Sequence, residues 1–536
     1  MRRIAVIDAE TDPFRKGRIP APFLWGFYDG REYREYEHKA PLVEYLREHD
    51  FIVYAHNGGK FDFHFLLDDL EAYDNIEIIN GRIGKMYIGK SELRDSWLII
   101  PEKLAAYQKD EIDYALFESD KRDNPATRKL ISAYLQSDCL YLHQMVSAFI
   151  EKFGLHFTVP GAAMSQWKKI EKAEELIPID ETDMEFYNRF APYYYGGRVE
   201  CFESGIIDAN FAVYDINSAY PYAMLQMHPS SGDYHETDGY VSGADFYRLE
   251  CVSGGALPYR GEGADGYGLT FPRDGERREY FITSWEYRAA IETKSIRSVK
   301  VIESITFARH TTFQAYIQKF WAERQIAKAS GDILGSLFAK RLMNALYGKF
   351  ASNPQNYSNY IIVPENEAFA LVQPGAVYTM GGMIGPWALA EKPLDECEQR
   401  YYNVATGASI TGFVRAMLWK AIHSSKRVLY VDTDSIACCA PGSIRLGDQL
   451  GNWKLEGNFD RAGIGGKKLY IFRGAKGEKN ADGSHLYKTA SKGARLTHAE
   501  LWRVARGLTV EYFPDVPSFS VHKAPGFVNR SIRKTV

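Results

Sequence analysis

The stretch that most constrains this chain is Val428-Leu429-Tyr430-Val431-Asp432-Thr433-Asp434-Ser435-Ile436-Ala437. Apolar and β-branched residues run into two carboxylates one residue apart, and apolar residues then resume. The pattern predicts a tight β-hairpin with Asp432 and Asp434 at its tip. A period of two points both carboxylates to one side. Two anions held that close repel each other, so the site calls for a cation. Mg²⁺ fits, because it accepts carboxylate oxygens and leaves room for substrate phosphates. A bare Asp-x-Asp also suits a surface turn, but the full Tyr-x-Asp-Thr-Asp-Ser string is far more specific.

A chain of 536 residues has room for about three or four domains with ample core. Its formal net charge is −4, so any nucleic-acid surface must be a local patch beside many carboxylates. The tail supplies such a patch: Lys488, Lys492, Arg495, Arg503, Arg506, Lys523, Arg530, Arg533 and Lys534 face only Glu500, Glu511 and Asp515. Many of the 36 Tyr and 30 Phe belong to cores, but aromatic faces also stack on bases. The six Cys show no zinc or disulfide spacing, which suits a reducing compartment. No signal peptide is expected after Met1-Arg2-Arg3. The apolar run Val377 to Leu389 is broken by Gly381, Gly382, Gly385 and Pro386, so no membrane helix is expected there.

The N-terminal region carries a second set of acids. Ile4 to Thr11 is a buried-type strand ending in Asp8 and Glu10 on one face. Phe51 to Ala55 is a second apolar strand, followed by His56, Asn57, a Gly turn and a helix-like Phe61 to Leu70 that carries Asp62. Tyr134 and Asp138 lie four apart in a helical pattern and share a face. Residues 140–190 read as helices with polar loops.

Further on, Tyr193-Tyr194-Tyr195-Gly196-Gly197-Arg198 places glycines where a backbone can approach a partner. Phe211 to Pro221 reads as strand, Asp215, a turn at Ser218, then a helix with Tyr220 and Pro221 in its first turn. Anions sit well at such a helix start. Phe313 to Lys328 is amphipathic, with Arg324 and Lys328 available to phosphates. In the next helix Lys340, Asn344 and Tyr347 fall on one face. A cation, an amide and an aromatic on one stripe suit a triphosphate, a sugar and a base. Val377 to Ile384 reads as a hairpin with a Gly-Gly tip.

Taken in order, these strings resemble protein-primed family B DNA polymerases, most of all the tectivirus type of phage replicative enzyme. Val428–Ala437 resembles their motif C, Phe211–Pro221 motif A, and Lys340–Phe350 motif B, with Ala345 where the family usually has Ser. Tyr194, Gly196 and Gly197 match a Tyr-x-Gly-Gly element that touches template, and Lys468 and Tyr470 match a Lys-x-Tyr motif at the primer terminus. Asp8, Glu10, Asp62 and Asp138 resemble the metal ligands of a 3′–5′ exonuclease in which Tyr134 orients the attacking water. The resemblance makes Asp215 and Asp434 the polymerase metal ligands, with Asp432 in support. It makes Tyr220 the wall against a 2′-hydroxyl. It puts Ser218, Lys328, Lys340, Asn344 and Tyr347 at the nucleotide. Thr11, Asn57 and Phe61, with Ser96 and Lys109, would grip a frayed primer end.

The fold implied is multidomain, α/β and α+β. An RNase H-like exonuclease domain (1–190) precedes a right-hand polymerase with two priming insertions. The expected divisions are palm at 191–227 and 404–472, insertions at 228–312 and 353–403, fingers at 313–352 and thumb at 473–536. The implied function is DNA-directed DNA synthesis from a terminal-protein primer, with proofreading and strand displacement. The alternative is a family B polymerase that uses ordinary primers or none. Two Mg²⁺ or Mn²⁺ ions are expected in each active site. Template-primer DNA, dNTPs and a terminal protein are the expected partners, with no membrane. A monomer in the cytoplasm of a bacterial host is expected.

Overall fold

The computed structural model describes residues 2–104, 110–171, 183–263, 266–395, 397–491 and 493–535. Lys109 lies outside the described residues.

The N-terminal body forms around the strand Arg3–Thr11. This strand runs parallel to Phe51–Ala55, itself buried along its whole length, and antiparallel to Pro22–Tyr28. Apolar residues on both faces of such strands require cover on both sides. One cover is the long helix Pro125–Phe153. Asn124 caps it by accepting from Ala126 and Thr127 N–H, and Pro125 suits a first turn whose N–H groups have no partner in the helix. The helix lies close to the sheet because Gly26 has no side chain. A Cβ there would stand 2.8 Å from Cys139 Sγ. Gly26 pairs with Asp8 in the sheet, so this close approach brings Asp138 beside Asp8.

The same sheet has ten strands and takes in residues from far along the chain. Ser358–Pro364 joins through Tyr360 opposite Ile76, followed outward by Trp387–Pro393 and Thr379–Ile384. The expected hairpin near 377–384 therefore exists, but its turn is at Gly385-Pro386. Gly381 and Gly382 lie inside the first strand at a bulge between Met380 and Gly382. Glycine in a strand marks such bulges as readily as turns. The expected helix over Phe61–Leu70 is instead a series of 3-10 turns, Gly58–Lys60, Asp62–Phe65 and Leu67–Asp69. Their bonds span three residues, as in His64 N–H to Phe61 O, and Phe61 itself is non-helical at φ −149°.

The second body is a seven-stranded antiparallel sheet. Its central strands are Trp453–Gly466, Gly205–Ile216, Ser435–Ala440 and Lys426–Asp432, in that order. Helix Val404–Ser424 backs it and is buried on nearly every face. Helices Gln314–Ser330 and Ile333–Phe350 form an antiparallel pair. Gly331 turns the chain between them at φ 74°, and Asp332 caps the second by accepting from Gly335 N–H at 2.8 Å.

Within 228–312 a four-stranded sheet carries helix Ser284–Glu292 between two of its strands, Arg277–Thr283 and Ile296–Phe307. Tyr247, Leu249, Tyr280, Ile282 and Ala289 share one apolar cluster with Ile410, Val414, Val431 and Ile436. This interval is thus packed into the core of the polymerase sheet. Its hairpin, Tyr259–Gly263 with Gly266–Thr270, forms a sheet of its own. The C-terminal segment adds helix His498–Ala505, a short hairpin Ser518–Ser520 with Lys523–Gly526, and a second two-stranded ladder that encloses it in sequence.

Candidate active sites

In the N-terminal body, carboxylate oxygens of Asp8, Glu10 and Asp138 lie within 4.8 Å of one another. Strand alternation brings the first two together, and the close helix adds the third. Asp62 is 2% exposed. Burial, and then the neighbouring Asp8, push its carboxyl well above the ordinary range. Its Oδ1 accepts no hydrogen bond from a described residue. A buried carboxylate among carboxylates is stable only when protonated or when a cation joins it, so this donor set fits a divalent metal. Tyr134 is on the same helix face as Asp138, and its hydroxyl is 3.0 Å from that of Tyr114. The acids line a cleft of about 390 Å³ that also takes in Asn57 and Phe61. Asn57 holds a left-handed φ of 60°, and its Oδ1 accepts from Arg82 at 3.2 Å. Thr11 ends the strand, its hydroxyl donating to Asp12 O. Ser96 differs from its expected role. It is fully buried and its hydroxyl is 3.0 Å from His56 Nδ1. It supports His56, a cleft residue, and offers no surface to a phosphate.

In the second body Asp215 lies near the end of its strand, beside the hairpin turn that holds Asp434. Ser435 pairs with Asp215, and Ile216 N–H donates to Asp434 O at 2.8 Å. Burial, then Asp434, pushes the Asp215 carboxyl up to about 7. Burial, then Asp432, pushes Asp434 up to about 6. A carboxylate raised by burial and by a neighbouring carboxylate sits in a site that wants a cation. Asp432 already has its own: Lys468 Nζ meets both of its oxygens, at 2.7 and 2.9 Å. Asp432 is thereby tied to Lys468 at the hairpin tip. Tyr470 is buried behind it, stacked on Phe472 at 4.5 Å.

The tip between these acids is strained. Thr433, a β-branched residue, sits at φ 61°, and Asp434 N–H donates to Asp432 O two residues back. Such backbone persists only where neighbours over-determine it. Here Thr433 N–H donates to Arg198 O at 2.7 Å, and Gly197 lies against the Thr433 side chain and Tyr220 Oη. The Tyr-x-Gly-Gly loop is in turn held by Arg415, which donates to Tyr195 O and Gly196 O. Arg415 also pairs with Glu286 at 2.7 Å, and both side chains are almost wholly buried. Tyr194 is half-buried beside this loop and Gly196 is exposed.

Tyr220 and Tyr347 stack at 4.1 Å with planes 10° apart. Ser218, at φ 52°, turns the chain from the Asp215 strand into the short helix that carries Tyr220. Lys340 is exposed, and Asn344 Nδ2 donates back to Lys340 O. Asn344 borders a second cleft of about 680 Å³ between this helix and the N-terminal body. Burial lowers the Lys328 pKa, and so do the nearby cations Arg324, Lys454 and Lys340. These four form a cationic wall suited to phosphates. The motifs did not reveal Glu456. It sits at a bulge opposite the Asp215 strand, pairs with Lys488, and raises both Asp215 and Asp434. A lone Glu in a strand carries no signal of that kind.

Residues 106–411 match the family model for DNA polymerase type B, organellar and viral. The DNA-directed DNA polymerase of Enterobacteria phage PRD1 is 36% identical across 99% of this chain and 98% of its own length. The chain is a type B DNA polymerase. Its activity is DNA-directed DNA synthesis of the phage type, and the family depends on divalent metal. A probable DNA polymerase of Neurospora intermedia is 22% identical over 87% of this polymerase and 59% of its own length. Among solved structures, Phi29 DNA polymerase with primer-template DNA and incoming nucleotide gives a TM-score of 0.74. It covers both chains completely at 18% identity, a likeness of fold. Among the described residues of this polymerase no helix is long and apolar enough to cross a membrane.

Proposed function

We propose that this polymerase replicates a linear phage-type genome from a terminal-protein primer, displaces the opposite strand, and proofreads with a separate 3′–5′ exonuclease. One observation carries the priming half. The hairpin Tyr259–Thr270 reaches the primer-side motif, where Lys467 Nζ donates to Leu269 O at 3.2 Å. An insertion that touches the primer end of the site is placed to handle a primer that must first sit there and later leave.

The division into exonuclease (1–190), palm, fingers, thumb and two priming insertions belongs to the same reading. So does the assignment of each side chain. Asp215 and Asp434 would hold two Mg²⁺ or Mn²⁺ ions, and Asp8, Glu10, Asp62 and Asp138 two more. Bound there, the ions would lower the pKa of the attacking hydroxyl or water and take up charge on the phosphate.

The chain's own residues do the rest. Lys340 and Lys328, with the turn at Ser218, bind the triphosphate of a dNTP. The Tyr220–Tyr347 stack floors the sugar pocket and leaves no space for a 2′-hydroxyl, while Asn344 faces the sugar and base. Lys468 holds Asp432, which keeps the hairpin tip in place, and with Tyr470 steadies the primer end. Tyr194, Gly196 and Gly197 meet the template. In the exonuclease Tyr134 orients the water, and Thr11, Asn57 and Phe61 grip a single strand. His56, propped by Ser96, completes that wall. The enzyme acts as a monomer in the host cytoplasm.

The test is to mix the purified polymerase with the terminal protein encoded beside it, metal and one labelled dNTP. A covalent nucleotide–protein adduct is the expected result. No adduct under conditions where the enzyme extends a DNA primer would overturn protein priming and favour ordinary primers.

A further inference from the structure

The basic tail resolves into two parts, and one of them does not face the polymerase site. Arg495, Val516, Pro517 and Phe519 line the cleft that holds Asp8, Glu10, Asp62 and Asp138. The same Arg495, Val516 and Pro517 also line an adjoining hollow of about 280 Å³, with Phe513 and Arg530 on its far side. The two hollows therefore form one groove leading from the buried acids outward along the C-terminal segment. Its walls are joined by packing as well as by proximity. Phe519 meets Phe61 edge-on at 5.3 Å and Phe65 at 5.6 Å, and Lys16 Nζ lies 4.1 Å over the Phe513 ring. The residues that join the walls come from the first 65 positions on one side and from beyond 490 on the other.

A groove ending in four carboxylates repels a phosphodiester chain. Cations bound to the acids offset only the phosphate being cut. The phosphates behind it need a separate positive charge. Two basic side chains line the cleft, Lys60 and Arg495. Lys60 donates to Gly81 O, and burial lowers its pKa. Arg495 is exposed and has no ion-pair partner among the described residues. A guanidinium can meet a phosphate through two parallel hydrogen bonds, a geometry an ammonium lacks.

We infer that the C-terminal segment forms the outer wall of the exonuclease groove, and that Arg495 holds a backbone phosphate of the single strand whose 3′ end lies among Asp8, Glu10, Asp62 and Asp138. Arg495 is a positioning residue here: it binds the strand and does not touch the reacting atoms. The packing of Phe519 on Phe61 fixes the groove, so that the grip of Phe61 on the strand depends on the C-terminal segment being in place. The inference rests on the exonuclease reading of the four acids.

The experiment uses the full chain and a labelled single-stranded oligodeoxynucleotide, with Mg²⁺. Degradation is followed at several substrate and salt concentrations for the parent, Arg495→Ala, Arg495→Lys and the double variant Asp8→Ala, Glu10→Ala. Circular dichroism confirms folding of each. For Arg495→Ala, KM should rise about tenfold, the factor for losing one charge-assisted contact, with kcat little changed. The slope of log KM against log salt should fall by about 0.7, the value for one phosphate contact on a single strand. Arg495→Lys should restore part of the affinity and all of the salt slope. A KM and salt slope equal to the parent's in Arg495→Ala would overturn the inference. So would a fall in kcat at unchanged KM. Degradation that persists in the Asp8, Glu10 double variant would refute the exonuclease reading itself, a result the Arg495 arms cannot imitate.

Discussion

Gly197→Ala is the smallest change that should injure the polymerase site without touching its acids. The added Cβ would stand 2.7 Å from Thr433 Cγ2 and 3.0 Å from both Thr433 Oγ1 and Tyr220 Oη. Ordinary contact begins at 3.4 Å, so the hairpin tip or the tyrosine must give by about 0.7 Å, and a displacement near 1 Å at a reacting centre costs on the order of 10²-fold. Thr433 cannot give freely, because its left-handed backbone is already strained and held by Arg198 O. Overpacking of this kind costs about 1–3 kcal/mol of stability. The expected outcome is a fall of roughly 30- to 100-fold in kcat/KM for single-nucleotide insertion, with degradation of single-stranded DNA unchanged. Gly196→Ala is the control. No atom lies within 4 Å of a Cβ there, so its stability should stay within about 0.5 kcal/mol of the parent. Both readouts come from one preparation, by rapid-quench insertion and gel-resolved digestion. Parental insertion by folded Gly197→Ala would refute the idea that this loop sets the position of the tip.

Tyr220→Val should raise ribonucleotide incorporation relative to deoxynucleotide, since it removes one ring of the Tyr220–Tyr347 stack; an unchanged ratio in competition assays would move the gate elsewhere. Arg415→Ala leaves Glu286 buried without its cation and should cost about 3–5 kcal/mol, read as a lower unfolding temperature together with lost insertion; a parental melting curve would contradict it. Replacing residues 260–269 by a short Gly linker should abolish terminal-protein labelling while short-primer extension persists, because that hairpin makes a sheet of its own. Removing all of 228–312 is a different matter. It would take Tyr247, Leu249 and Tyr280 from the polymerase core and Glu286 from Arg415, and should yield no folded enzyme.

What the sequence revealed were groups whose chemistry is local. Asp432, Thr433 and Asp434 declare a hairpin tip because period-two alternation, a turn and paired carboxylates all fall within ten residues. The structure brings Asp8, Glu10 and Asp138 together, and the helix spacing of Tyr134 and Asp138 was readable in the same way. Other features depend on pairs far apart in the chain. Arg415 finds Glu286 across 129 positions, and Phe519 finds Phe61 from the other end of the molecule. Neither partner has a distinctive neighbourhood in sequence. The merging of Ser358–Pro364 into the N-terminal sheet rests on a two-residue ladder, Tyr360 with Ile76 and Ile361 with Asn75. Nothing in an apolar strand says which edge it will choose. Ser96 was misjudged because a hydroxyl reads the same whether it faces a phosphate or, as here, a buried imidazole. The 3-10 turns after Phe61 were misjudged because three- and four-residue spacings overlap over so short a run.

The central claim is that one chain carries two independent carboxylate centres, one that adds nucleotides and one that removes them. The most direct measurement follows a single end-labelled primer-template in Mg²⁺ with the Asp434→Asn enzyme, first with dNTPs and then without. The two centres are built around separate sheets, so elongation should vanish in the first lane while the primer still shortens in both. Elongation by Asp434→Asn, or loss of both activities in a protein that remains folded, would contradict the account.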